Sequence, residues 1–118
     1  MKIRLIEHQD NTAIKEIIVN TLLEFGASGD GFACSAPETQ AMYEAYQAVG
    51  RIYFVITDDH TGEVMGGAGV APLKGSTETC EFVKMYFRKE ARGLGLGKKL
   101  MELCLEKAKE MGYSEMYL

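Results

Sequence analysis

The chain has 118 residues, 47% of them apolar and 25% charged, with a formal net charge of −4. That length gives one compact domain, and that composition excludes disorder, collagen and low-complexity architectures. The acidic balance excludes a general nucleic-acid or anionic-membrane footprint, and no uncharged stretch is long enough to span a bilayer.

Met1 to Glu7 carries charge at every second or third position and has no apolar run, so no secretory signal is visible. Lys2 to Glu7 alternates in hydrophobicity, with Ile3 and Leu5 on one face, and reads as a first strand. Asp10-Asn11-Thr12 offers helix caps. Ile14, Ile17, Ile18, Thr21, Leu22 and Phe25 follow at helical spacing, and Gly26 closes that helix. Residues 27–34 are loop by composition. Ser35-Ala36-Pro37-Glu38 has the spacing of a capping box, and Met42, Ala45, Tyr46 and Val49 give a second helix its apolar stripe up to Gly50.

Arg51 to Thr57 is a strand rich in β-branched and aromatic residues. The turn Asp58-Asp59-His60-Thr61-Gly62 returns the chain through Glu63 to Pro72 as a hairpin partner. Gly66, Gly67 and Gly69 weaken that third strand, which predicts close approach to its backbone by a neighbour or a ligand. Thr79 to Phe87 is a fourth strand, and Arg88 to Gly97 a basic, glycine-rich loop. Leu96, Leu100, Leu103, Cys104, Ala108 and Met111 draw the stripe of a further helix, closed by Gly112, and Tyr113 to Leu118 starts a fifth strand. The order β-α-α-β-β-β-α-β predicts an α+β domain over residues 1–118. Strands two to four should be antiparallel, and strands four and five parallel through a right-handed crossover, with helices on the faces of one mixed sheet.

Cys34, Cys80 and Cys104 form no C-x-x-C pair, and His8 and His60 lie near none of them. They read as reduced thiols of a cytoplasmic protein, with neither a zinc site nor a disulfide framework, and no metal is expected.

The segment from Cys80 to Gly97 carries the chemistry. A strand leads into glycines at 93, 95 and 97 and then into a helix. Successive backbone N–H groups at such a turn can form an anion-binding nest. The helix start adds unpaired N–H groups and a positive dipole end. Arg88, Lys89, Arg92, Lys98 and Lys99 are five of the thirteen Lys and Arg residues, within twelve positions. Lys98 and Lys99 oppose the macrodipole unless an anion is bound. Read alone, the same glycines serve equally as a tight connection in a solvated basic turn. A Walker loop needs glycine five positions before its Gly-Lys-Ser/Thr, and here that position is Arg92 and Lys99 follows Lys98; the dinucleotide fingerprint needs glycine at 98 or 100, and those residues are Lys98 and Leu100.

Arg92-Gly93-Leu94-Gly95-Leu96-Gly97 resembles the Arg/Gln-x-x-Gly-x-Gly/Ala signature of the GCN5-related N-acetyltransferase (GNAT) superfamily. The resemblance extends to the strand before it, the amphipathic helix after it and the element order of the whole chain. It implies that main-chain amides of Arg92, Gly93, Leu94, Gly95, Leu96, Gly97 and Lys98 bind the pyrophosphate of acetyl-CoA, the co-substrate. It also implies that the main chain of Met85, Tyr86 and Phe87 pairs with the pantetheine arm like an added strand, and that the amide near Met85 polarises the thioester carbonyl. The implied reaction moves acetyl to an amine, on a small molecule or a protein, by direct attack in a ternary complex. The alternative is a CoA-binding or partner-binding domain without catalysis. The acceptor is not legible in residues 26–50, the segment that would choose it.

Glu81 precedes Arg92 by eleven residues, a spacing similar to that of the general-base glutamate in the histone-type branch of the family. Acyl transfer needs a neutral amine, so some group must accept a proton. A carboxylate on a strand face beside Val83, Met85 and Phe87 is the candidate; the alternative is a strand-end carboxylate facing solvent or pairing with a lysine. Cys80 should point to the opposite face and read as core rather than as an acyl-accepting nucleophile. Cys34 and Cys104 read as bland, and His8 and His60 as surface. Phe32, Tyr43 and Tyr46 fall where the family builds its acceptor wall, although aromatic residues at helical spacing also suit a core. The family usually continues past its fifth strand, so the resemblance implies a domain that is C-terminally incomplete after strand five. Tyr113 and Tyr117 lie too early for the family's acid to the leaving thiolate, and none is assigned. A strand bearing Tyr113, Met116, Tyr117 and Leu118 would need cover from another chain, by homo-oligomerisation or strand exchange, or would mark a fragment with impaired catalysis.

Overall fold

The computed structural model describes residues 1–26 and 37–118. The five expected strands form one sheet in the order β1-β2-β3-β4-β5, with β1 at Lys2–Leu5, β2 at Ile52–Thr57, β3 at Val64–Pro72, β4 at Thr79–Phe87 and β5 at Glu115–Tyr117. The first four pair antiparallel in succession, and β5 lies parallel to β4, as the intervening helix requires.

Helix α1, Asn11–Glu24, covers one face of the sheet together with two short helices, α2 at Pro37–Gln40 and α3 at Met42–Ala45. Ile14, Ile17, Ile18, Met42 and Tyr46 meet Tyr53 and Val55 there. Helix α4, Leu96–Glu110, covers the other face, where Leu96, Leu100, Cys104 and Ala108 pack on Phe54, Ile56, Ala68 and Val70. Their spacing of four keeps one narrow stripe against the sheet. Lys107 and Lys109 sit in the last turn of α4, where cations complement the macrodipole.

The expected single helix over residues 35–50 is instead two one-turn helices. Ala41, at φ −148° and ψ 62°, is not helical and breaks them apart. Val49 therefore leaves the stripe and is fully exposed, and Phe25 is also outside its expected stripe, at 73% exposure. Ser35 of the expected capping box lies outside the described residues, as do Phe32 and Cys34. Asp10 precedes α1 but makes no side-chain cap. Its buried carboxylate accepts two hydrogen bonds from Arg4, at 2.7 and 2.9 Å, and one from the Glu7 N–H at 2.7 Å.

The three glycines of β3 answer a neighbour rather than a ligand. A Cβ on Gly67 would lie 2.6 Å from the Tyr53 ring, and one on Gly69 would lie 2.7 Å from it and against the Ile52 carbonyl oxygen. On Gly66 it would meet the Tyr86 carbonyl and the Phe87 ring. The Tyr53 ring thus fills the space that side chains at 67 and 69 would take. Gly69→Ala is expected to destabilise the fold by about 1–3 kcal/mol through overpacking, read as a lower urea midpoint at unchanged m.

Candidate active site

The loop between β4 and α4 has the geometry of an anion cradle. A short 3₁₀ turn at Lys89–Ala91 leads into Gly93 at φ 77° and Gly95 at φ 75°, both left-handed, and Gly95 is the N-cap of α4. Only glycine takes that conformation without steric cost. The Arg92 N–H donates to the Lys89 carbonyl at 3.1 Å. The six N–H groups of Gly93 through Lys98 donate to no described residue. They are four amides of the helix start and two of the loop before it, clustered at the positive end of the α4 dipole. A Cβ on Gly93 or Gly95 would meet nothing within 4 Å, so the surface over them is open. Gly97 is held tightly, and a Cβ there would sit 3.3 Å from the Met85 sulfur.

The basic cluster around this loop is largely neutralised, which its sequence does not show. Arg88 pairs with Glu16 at 3.3 Å and Glu63 at 3.6 Å. Arg92 holds Glu24 at 2.8 Å while also donating twice to the Phe87 carbonyl, and Lys89 reaches the same carboxylate at 3.3 Å. The Arg92 hydrogen bond, helped by Lys89, holds the Glu24 carboxyl below its ordinary range. These cations tie the loop to α1 and to the start of β3, beside a cavity of about 650 Å³ bordered by Thr21, Glu24, Phe87 and Arg92. Attraction for an anion therefore falls to the amides and to Lys99 at the helix start, with Lys98 at 4.0 Å from Glu102.

Strand β4 carries a bulge. Gly67 pairs with Tyr86, but Gly69 pairs with Val83, so two steps on β3 match three on β4. Lys84, at φ 52°, is the only non-glycine with positive φ among the described residues. The extra residue inverts the alternation. Before it, Glu81 and Val83 face the α1 side; after it, Tyr86 takes that face while Met85 and Phe87 turn to Gly97 and α4. Glu81 therefore shares its face with Val83 and Tyr86, and not with Met85 and Phe87 as strict alternation predicts. Strand β5 pairs only with Thr79 to Glu81. Among the described residues, β4 beyond Glu81 has no strand on that side.

Glu81 is half-buried and lines a cavity of about 430 Å³ with Glu38, Tyr46, Arg51, Lys84 and Tyr86. Glu38 takes both cations of this wall, Lys84 at 3.0 Å and Arg51 at 3.5 Å, while Glu81 has no ion pair among the described residues. Burial, with the nearby Glu38 charge, pushes the Tyr46 hydroxyl well above its ordinary range. Sequence reading missed Glu38, Arg51 and Lys84 in this wall. A signal was present: Phe82-Val83 and Met85-Tyr86-Phe87 are apolar runs that no unbroken alternation accommodates.

Cys80 and Cys104 are fully buried in the α4 core, Cys80 on the face opposite Glu81. Burial raises the Cys80 thiol and pushes the Cys104 thiol up to about 12. A thiol is nucleophilic only as thiolate, so neither suits acyl transfer. In native protein at pH 8 both should resist iodoacetamide and react after denaturation, as peptide mass mapping would show. His8 is exposed, 3.2 Å from Glu44 and edge-on to Tyr43, and His60 lies in the hairpin turn. Tyr113, expected on an uncovered strand, is half-buried, and its hydroxyl donates to the Gly50 carbonyl at 2.7 Å. Tyr117 and Leu118 are exposed at 59% and 72%. Among the described residues no group of His, Cys, Asp and Glu is gathered to hold a metal, and no helix is long and apolar enough to cross a membrane.

A model of the acetyltransferase (GNAT) family matches residues 17–118. The uncharacterized N-acetyltransferase YjgM of Escherichia coli K12 is 41% identical over 117 residues, which span 98% of this chain and 69% of that protein. The uncharacterized N-acetyltransferase C1271.07c of Schizosaccharomyces pombe is 32% identical over 93% of this chain and 66% of its own length. Among solved structures, yncA of Salmonella typhimurium with its cofactor acetyl-CoA superposes with a TM-score of 0.78 at 28% identity, over 96% of this chain and 65% of that one.

Proposed function

Because the chain belongs to the acetyltransferase (GNAT) family, we propose that it binds acetyl-CoA along the free edge of β4 and transfers the acetyl group to an amine held beside Glu81. The observation that carries this reading is the set of six amides, Gly93 through Lys98, that have no partner among the described residues, at the open start of α4. Backbone donors at a positive dipole end suit a pyrophosphate. The main chain of Met85, Tyr86 and Phe87 supplies strand-like hydrogen bonds to the pantetheine arm.

Acetyl-CoA supplies the thioester whose acetyl group is transferred. The residues of this chain position it and manage the proton. The Met85 N–H donates to the thioester carbonyl oxygen, where negative charge develops. Glu81 accepts the proton that the amine loses as its C–N bond forms and the C–S bond breaks, and coenzyme A leaves as the thiolate, which takes a proton from solvent to give the free thiol. The 430 Å³ cavity that Glu81 lines is the acceptor site, of a size for a small molecule or one side chain of a larger partner.

Calorimetric titration with acetyl-CoA, followed by a screen of amines for release of free thiol, tests the reading. Binding with amine-dependent release supports it. Binding without release across the screen would leave the CoA-binding domain as the better description, and absence of binding would overturn both.

A further inference from the structure

Tyr53 is at the centre of the sheet and 1% exposed, and its hydroxyl donates to the Lys84 carbonyl at 2.8 Å. Nothing in the reaction proposed above uses it. Its ring lies where side chains at Gly67 and Gly69 would otherwise be, so three positions on two strands are committed to placing one hydroxyl under the bulge. Burial holds that hydroxyl far above its ordinary range, so it remains a donor at every working pH.

The acceptor of this bond is the carbonyl of the one left-handed non-glycine residue described. A lysine in that region is unfavourable by about 1–2 kcal/mol relative to an ordinary strand conformation. It persists when its surroundings over-determine it. In a trans peptide the C=O and the following N–H point in opposite directions. Tyr53 reaches the Lys84 carbonyl from the β3 side, so the Met85 N–H points away from β3. The Met85 and Phe87 side chains meet Gly97, at the head of the amide cradle.

We propose that Tyr53 is a positioning residue, whose buried hydroxyl fixes the Lys84–Met85 peptide so that the Met85 N–H is aimed at the bound thioester. The proposal rests on the acetyl-CoA reading given above. Tyr53 touches no substrate. It acts through the peptide it orients, and the pyrophosphate cradle, on a different segment, does not depend on it.

The test is Tyr53→Phe, which keeps the ring on Gly67 and Gly69 and removes only the hydroxyl. Calorimetry should give an acetyl-CoA Kd within about threefold of wild type, while kcat falls roughly 10- to 100-fold, less than the full loss of an oxyanion donor. Infrared difference spectra of protein loaded with acetyl-CoA labelled with carbon-13 at the thioester carbonyl give a second readout. The wild-type carbonyl band should lie below its position in water, and the Phe variant's band should move back toward it. Lys84→Gly in the Tyr53→Phe background removes the left-handed cost. It should restore part of the melting temperature, and where the single variant is too unstable to assay it serves for the Kd and carbonyl-band readouts. A Phe variant with wild-type kcat and carbonyl band would overturn the proposal. So would a loss that appears equally in Kd and kcat. Wild-type protein that binds no acetyl-CoA would instead overturn the parent reading, and this one with it.

Discussion

Glu81→Gln is expected to lower kcat by roughly 10²–10⁴-fold, the range for loss of a positioned general base, with acetyl-CoA affinity nearly unchanged. Glutamine keeps the shape and polarity of the side chain but cannot take a proton at working pH. The carboxylate has no ion pair among the described residues, so its replacement leaves no orphaned cation. It lies on the α1 face with Val83 and Tyr86, away from the side on which Met85 meets Gly97. The amide cradle and the proton acceptor are thus on separate surfaces, joined through the bulge, and affinity for the co-substrate should not report on Glu81. Initial-rate kinetics with both substrates varied would check this. Direct transfer gives intersecting double-reciprocal lines, whereas a ping-pong route through an acyl-enzyme gives parallel ones. Full activity in the glutamine variant, or parallel lines, would remove Glu81 from the mechanism.

Local patterns carried most of the architecture. The strands of the hairpin, the parallel return through α4 and the stripe Leu96, Leu100, Cys104, Ala108 were legible, because each depends on the period of its own segment. The cradle was legible for a related reason, since left-handed turns at Gly93 and Gly95 favour glycine whatever surrounds them. What escaped depends on partners distant in sequence. Arg92 and Lys89 read as free cations until α1 brings Glu24 to them, 68 and 65 positions earlier in the chain. Arg88 is likewise covered by Glu16 and Glu63. The bulge at Lys84 defeated the assumption of alternation, so the faces of Met85 and Phe87 were inverted. The Lys84 carbonyl has a partner in β2, where Tyr53 reaches across two glycines of β3. The break at Ala41 escaped because helical periodicity over residues 37–49 is indifferent to one non-helical residue. Glu38 was read as a capping residue, and its carboxylate is held instead by Lys84 and Arg51 across the acceptor cavity.

Gly95→Asp should abolish most of the acetyl-CoA affinity while leaving the fold intact, and the two effects have the same physical origin. Gly95 is the N-cap of α4 at φ 75°, with open space where a Cβ would go. Aspartate is among the residues that tolerate a left-handed conformation, and a negative charge at a helix start is favourable to the helix by about 0.3–1 kcal/mol. The variant is therefore expected to melt close to wild type. For the same reason its carboxylate takes the place of a phosphate among the amides of residues 93–98. Two like charges 4 Å apart repel by about 1 kcal/mol in water and about 4 kcal/mol at an effective dielectric typical of a protein surface. That range corresponds to roughly a five- to thousandfold loss. Gly95→Asn, neutral and of the same shape, should lose much less. Acetyl-pantetheine has no pyrophosphate, so its weaker binding should be indifferent to the aspartate. Calorimetry on the two ligands and two variants isolates the electrostatic part. If the aspartate variant binds acetyl-CoA as wild type does, or weakens both ligands alike, the pyrophosphate does not lie on this loop, and the free edge of β4 would have to hold the co-substrate without it.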